Sequence, residues 1–154
     1  LAFERQAGVR LTHVPYRGGG PMLTALLGGE VDMVIGSLPT VIGYSKSGQA
    51  NIVAIGSKTA APQIPDVPTI AAALPGYIAQ SWVGMMVPAG VPKTVFSRIQ
   101  TALQKTLADP AVKTKMENDG FNIVNSSPAE FEEQVDRESK RWAKIIRDAN
   151  VKVE

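Results

Sequence analysis

Residues 13–40 read HVPYRGGGPMLTALLGGEVDMVIGSLPT. The stretch predicts the same unit twice: a β-prone run, a small-residue turn, then a helix. Residues 11–16 form the first run. Gly18-Gly19-Gly20 breaks it, and Pro21 suits the first helical position. Leu23, Leu26 and Leu27 give that helix an apolar stripe, and Gly28-Gly29 stops it. Residues 31–35 form the second run. Ser37 is the expected N-cap of a helix over 38–47, with Gly48 as its terminator.

The alternation continues outward. Residues 52–55 read as a strand ended by Gly56. Residues 60–68 carry Pro62, Pro65 and Pro68 and read as loop. A short helix over 69–74 closes at Pro75-Gly76. Residues 77–87 are long, apolar and β-prone, as in a strand buried on both faces. Pro92 opens a helix with Val95, Phe96, Ile99, Ala102, Leu103 and Leu107 on one face. Asp109-Pro110 starts a shorter helix that Gly120 ends, and residues 121–124 read as a strand. Ser127-Pro128-Ala129-Glu130 is a capping box. It begins a last helix whose expected buried face is Phe131, Val135, Trp142, Ile145 and Ile146. Strand and helix alternate throughout, so the expected class is α/β with a largely parallel sheet.

Composition bounds the function. The chain has 154 residues, no Cys and one His, and its charge balance is +2. That margin is not a nucleic-acid footprint. Without Cys there is no disulfide framework, thiolate nucleophile or Cys zinc site. No charged residue occurs between Asp66 and Lys93. A membrane span is excluded there, because Pro68, Pro75, Gly76, Gly84, Pro88, Gly90 and Pro92 punctuate the run. No signal peptide is read. Leu1 stands at the start, and residues 1–7 read as the last turns of a helix, so the expectation is a mature or cut fragment.

Few residues suit chemistry. His13, within an apolar run, reads as a core or edge histidine, since one titratable group makes no triad. Glu130, Glu132, Glu133, Asp136 and Glu138 read as a solvated helix face paired with Lys140, Arg141 and Lys144. Asn125-Ser126-Ser127 matches a glycosylation sequon but overlaps the cap, and it reads as the cap. No metal-ligand cluster is seen, and no cofactor is expected.

Two junctions remain. In the first, Tyr16, Arg17, Gly18, Gly19, Gly20 and Pro21 join a strand to a helix start. There glycines bring backbone N–H groups close to a ligand, and the helix terminus favours an anion. The alternative is a plain strand–helix turn. In the second, Ser37, Leu38, Pro39 and Thr40 repeat the arrangement, with an ordinary N-cap as the alternative. At the carboxyl ends of parallel strands both junctions face one crevice, where ligands bind in open α/β sheets. Trp82 reads either as a cleft wall or as core.

HVPYRGGGPMLTALLGGEVDM, the LPT turn, IPDVPTIAAALPGY and SWVGMMVPAGVPK follow in this order. With the closing stretch from Ala108 onward, they resemble the solute-binding proteins of tripartite tricarboxylate transporters, the Bug family. The resemblance covers essentially the whole chain. It implies a type II periplasmic-binding-protein fold, two-lobed and about twice this length, with mostly parallel sheets flanked by helices. It places residues 1–78 in the second lobe, its start missing. It places residues 79–154 in a crossover strand and a C-terminal return into the first lobe. It implies periplasmic capture of a small carboxylate (a di- or tricarboxylate, an acidic amino acid or an aromatic acid) and delivery to membrane permease subunits. Residues 16–21 match the family's glycine-rich loop and residues 37–40 its second loop. Many members carry an acid or amide near Gly36-Ser37, where this chain has Gly-Ser.

The leading expectation is therefore a binding protein, not an enzyme, with no nucleic-acid partner. Two alternatives stand beside it: the ligand-sensing effector domain of a regulator with the same fold, or a small α/β enzyme. A chain lacking half of one lobe is expected to travel with the missing segment or to self-associate through exposed edges.

Overall fold

The computed structural model describes residues 2–148. Seven helices run in order: α1 (Ala2–Ala7), α2 (Gly19–Leu27), α3 (Leu38–Lys46), α4 (Ile70–Ala73), α5 (Lys93–Ala108), α6 (Pro110–Asn118) and α7 (Pro128–Asp148). Each falls where the sequence predicts one. None is long and apolar enough to cross a membrane.

Local chemistry sets their ends. At α2 the helix begins at Gly19 rather than Pro21, because Gly18 takes φ 101° and turns the chain two residues earlier. Its C-terminus is a Schellman motif. Gly29, at φ 72°, donates to Leu26 O, and Glu30 N–H reaches Ala25 O at 2.9 Å. The Asp109 carboxylate accepts from the Ala111 and Val112 N–H groups at 2.8 and 3.2 Å and starts α6. The capping box of α7 is closed in both directions. Ser127 N–H donates to Glu130 Oε2 at 2.8 Å, and Glu130 N–H donates to Ser127 Oγ at 3.3 Å. The Ser127 N–H and, at 2.7 Å, the Ser127 hydroxyl both donate to the Glu130 carboxylate and hold it below its usual value. Asn125, of the sequon, takes φ 49° just ahead of the cap.

The parallel sheets expected from sequence are not found among the described residues. The segments 11–16, 31–35, 77–87 and 121–124 form no ladder. The observed pairing is one parallel bridge, Ile55 with Thr69. Ile55 N–H donates to Pro68 O at 3.0 Å and Ile70 N–H to Ile55 O at 2.8 Å. Ala79 N–H then reaches Gly56 O at 2.9 Å, so residues 55–56, 68–70 and 79 lie side by side. The reason is physical: an apolar β-prone run fixes an extended backbone, but a ladder also needs a neighbour to pair with. The side chains show the same lack, with Val83 86%, Val53 81%, Val124 73% and Ile35 69% exposed. Residues 77–87 are thus not buried on both faces.

Among the described residues, the buried apolar ones are Leu23, Ala25, Ile42 and Tyr77. Leu23 and Ala25 lie on α2 and Ile42 on α3, while Tyr77 meets Phe3 of α1 edge-on, with ring centroids 6.0 Å apart. The apolar stripes of the long helices are only partly covered. Phe131, Val135 and Ile145 on α7 are half-buried, while Trp142 and Ile146 are exposed. On α5, Val95 and Phe96 are exposed. His13 is exposed rather than core.

Candidate functional site

The starts of α2 and α3 lie against each other. A Cβ on Gly19 would sit 2.6 Å from Thr40 Cγ2, and one on Gly36 would sit 2.9 Å from Met22 Cε. The Thr40 methyl thus sits on the Gly19 backbone and the Met22 side chain on the Gly36 backbone, and a Cβ at either glycine would make that side chain shift. The leading N–H groups of Gly19 and Gly20 have no acceptor within the helix, and Pro21 has no N–H to offer. Ser37 stands at the N-cap position of α3 with an extended backbone. Its hydroxyl does not cap the helix as expected. Ser37 Oγ lies 2.8 Å from Thr40 Oγ1, and the Thr40 N–H turns back to Ser37 O at 3.0 Å. Leu38 and Pro39 are packed from behind by Gly120, where a Cβ would meet Pro39 N at 3.1 Å and the Leu38 side chain at 3.2 Å.

Ser37 also lines an open groove of about 670 Å³. Ile35, Gly36 and Ser37 form one side, Ala79, Gln80, Ser81 and Trp82 the second, and Val135, Glu138, Ser139 and Trp142 of α7 the third. Trp82 is therefore a wall and not core; it is 38% exposed. Its indole is held edge-on against Phe131, with ring centroids 5.3 Å apart and planes at 83°. Phe131 in turn rests on Gly84, where a Cβ would be 2.1 Å from its ring.

The structure thus joins the first and second junctions through Gly19 and Thr40, and the second junction to Trp82 through the groove. Of the predicted site residues, Ser37 and Trp82 line the groove; Tyr16, Arg17, Gly18, Gly19, Gly20, Pro21, Leu38, Pro39 and Thr40 do not, and the glycine turn adjoins it only through the contact of Gly19 with Thr40. Tyr16 is half-buried and Arg17 exposed. Sequence reading missed the α7 wall. Glu138 was assigned to a solvated face, yet it is half-buried and paired with Arg141, NH1 to Oε2, at 3.2 Å. The expected pairing of this face is seen in Asp136 with Lys140 and Glu138 with Arg141, while Lys144 pairs with Asp148, outside the expected set. The available signal was Trp142, three and four residues beyond Ser139 and Glu138 and so on their side of the helix. Among the described residues no cluster of His, Cys, Asp and Glu is arranged to hold a metal.

Residues 1–151 match the family described as the tripartite tricarboxylate transporter family receptor, and the chain belongs to that receptor family. Among its relatives is the UPF0065 protein of the tcbD-tcbE intergenic region of Pseudomonas sp. It is 34% identical over 143 residues, which are 92% of this chain and 43% of that protein. Protein BugT of Bordetella pertussis is 28% identical, over 98% of this chain and 47% of its own. An R. palustris protein solved with adipate superposes with a TM-score of 0.90 at 30% identity, over 97% of this chain and 50% of that one. MatC from Rhodopseudomonas palustris with bound malate gives 0.83 at 28%, over 94% and 51%. The periplasmic binding protein BugD gives 0.83 at 27%, over 99% and 52%. The chain spans about half the length of these relatives. Its fold is that part of a periplasmic binding protein.

Proposed function

We propose that this chain is part of a periplasmic solute-binding protein that captures a small carboxylate between two lobes and delivers it to a tripartite transporter permease. Residues 1–78 belong to the second lobe in this reading, and residues 79–154 cross over and return into the first. The observation that carries it is the contact of Gly19 with Thr40. It sets two helix starts side by side next to a groove walled by Ser37 and Trp82. Partial positive charge at helix N-termini suits a carboxylate. The carboxylate oxygens accept from the Gly19 and Gly20 N–H groups and the Ser37 hydroxyl, and the ligand body lies along Trp82. Tyr16, Arg17, Gly18, Pro21, Leu38, Pro39 and Thr40 shape and support that surface. Hinge closure of the two lobes completes the site. The superposition on proteins solved with adipate and with bound malate supports the ligand class. The exposed extended segments are covered by the rest of the protein or by a second copy.

The test is a thermal-shift screen of the intact protein against mono-, di- and tricarboxylates. A ligand that prefers the folded state raises the melting temperature. A shift with at least one acid, lost in Gly20→Pro, is the expected result. Absence of any shift on the intact protein defeats the carboxylate reading.

A further inference from the structure

The start of α3 brings Ser37 to the groove, yet it lacks the side-chain cap that ordinarily fixes a helix start. The Ser37 hydroxyl lies on Thr40 Oγ1 instead. Support comes from a distant part of the chain, the turn over residues 118–121 that ends α6. Gly120 is buried there, and a Cβ on it would stand 3.1 Å from Pro39 N, 3.2 Å from Leu38 Cγ and 3.3 Å from Leu38 C. Lys46, at the other end of α3, donates from Nζ to Asn118 O at 3.2 Å. Half-buried Gln63 donates from Nε2 to Phe121 O at 3.2 Å. The turn is closed by its own bonds. Asp119 N–H donates to Lys115 O, Gly120 N–H to Glu117 O, and Phe121 N–H to Met116 O at 2.9 Å. With φ at 89°, Gly120 turns bare backbone toward Leu38 and Pro39.

On the reading that a carboxylate is held beside Ser37, we infer that the 118–121 turn is a positioning element of the ligand site. Gly120 sets where the backbone of Leu38 and Pro39 runs, and through them where Ser37 stands. Gln63 and Lys46 hold the turn there by two of its carbonyls. None of residues 118–121 lines the groove, so the turn acts through α3 and not on the ligand. Donors already in place cost nothing to order when the ligand arrives, whereas a loose helix start spends binding energy on its own ordering. A methyl at residue 120 forces its neighbours to give by a few tenths of an ångström, and those neighbours are the residues that follow Ser37.

The experiment is isothermal titration of the intact protein with acetate, benzoate, malate, adipate and citrate, then of variants with the acid bound most tightly. The variants are Gly120→Ala, Gln63→Glu and Gly29→Ala, each confirmed as folded by far-UV circular dichroism. Gly29→Ala is strained by a φ of 72°, but a Cβ there meets nothing within 4 Å, and it lies beyond the other end of α2. Gly120→Ala is expected to weaken binding about fivefold or more, while Gly29→Ala stays within about twofold of wild type. Gln63→Glu, which sets a carboxylate against the Phe121 carbonyl, is expected to weaken binding in the same direction. Without ligand, the Thr40 amide is expected to exchange hydrogen faster in Gly120→Ala and Gln63→Glu than in wild type, and unchanged in Gly29→Ala. Gly120→Ala within about twofold of wild type overturns the inference and leaves the carboxylate reading standing. An equal loss in Gly29→Ala also overturns it, since stability and not position would then be the cause. Should Gly120→Ala not fold, Gln63→Glu decides by the same criteria. Binding of none of the acids removes the carboxylate reading itself, and unchanged Thr40 exchange in both variants then overturns the positioning on its own.

Discussion

Replacing Gly84 with alanine tests the packing that holds the groove's indole wall. The new Cβ would stand 2.1, 2.6 and 2.8 Å from Phe131 Cζ, Cε2 and Cε1. Carbon atoms settle at about 3.5–4.0 Å, so the ring must retreat by roughly 1 Å or more. It cannot do so in place, because Trp82 lies edge-on against it at 5.3 Å. Overpacking of this kind costs about 1–3 kcal/mol. Loss of the edge-to-face pair accounts for ~0.5–1.5 kcal/mol of that. Urea unfolding followed by far-UV circular dichroism reads the total, and the near-UV tryptophan bands read the movement of the indole. Phe131→Leu in the same background removes the clash. A double-mutant cycle is then expected to show coupling of about 1 kcal/mol or more, with the second substitution relieving the first. The reasoning is refuted if Gly84→Ala stays within about 0.5 kcal/mol of wild type and the near-UV spectrum does not change.

Three further outcomes are expected. Gly120→Ala is expected to cost more than Gly29→Ala in the same unfolding assay. Both positions have positive φ, but only at Gly120 does a Cβ also press on the Pro39 and Leu38 backbone. Ser127→Ala is expected to cost about 1 kcal/mol through loss of the cap. It also removes a donor that lowers the Glu130 pKa. A carboxyl lowered in the folded state adds stability above its unfolded value near ~4.3 that is lost as pH falls through the folded one, so the variant should show a shallower acid limb in stability against pH. Tyr77 is an acid whose pKa burial raises. Its contribution is present below the unfolded value near ~10 and lost as pH rises past it. Phenolate absorbance should show one tyrosine ionising late, and Tyr77→Phe should abolish that late step.

The helices were legible because their signals are local. Asp109 and Ser127 reach N–H groups two or three residues away, and Gly29 answers a turn that its own neighbours close. Each such bond forms within a stretch of chain short enough to read. The strands were legible only as extended backbone. A ladder depends on a neighbour distant in sequence, and among the described residues residue 55 alone pairs, with residue 69. The site divides in the same way. Ser37 and Thr40 were recognised from a turn, although the hydroxyl bonds Thr40 and not the helix. Glu138 was not recognised, because helical periodicity gives a face without saying what the face meets. Trp82 was readable as either wall or core until Phe131 and Gly84 fixed its ring.

The central claim, that a carboxylate is held at the paired helix starts, is tested most directly by a crystal structure of the intact protein with a bound acid. The account predicts carboxylate oxygens within hydrogen-bond distance of the Gly19 and Gly20 N–H groups and the Ser37 hydroxyl, with the ligand body along Trp82. A carboxylate seated away from residues 19–20 and 37, in a protein that binds it tightly, would contradict it.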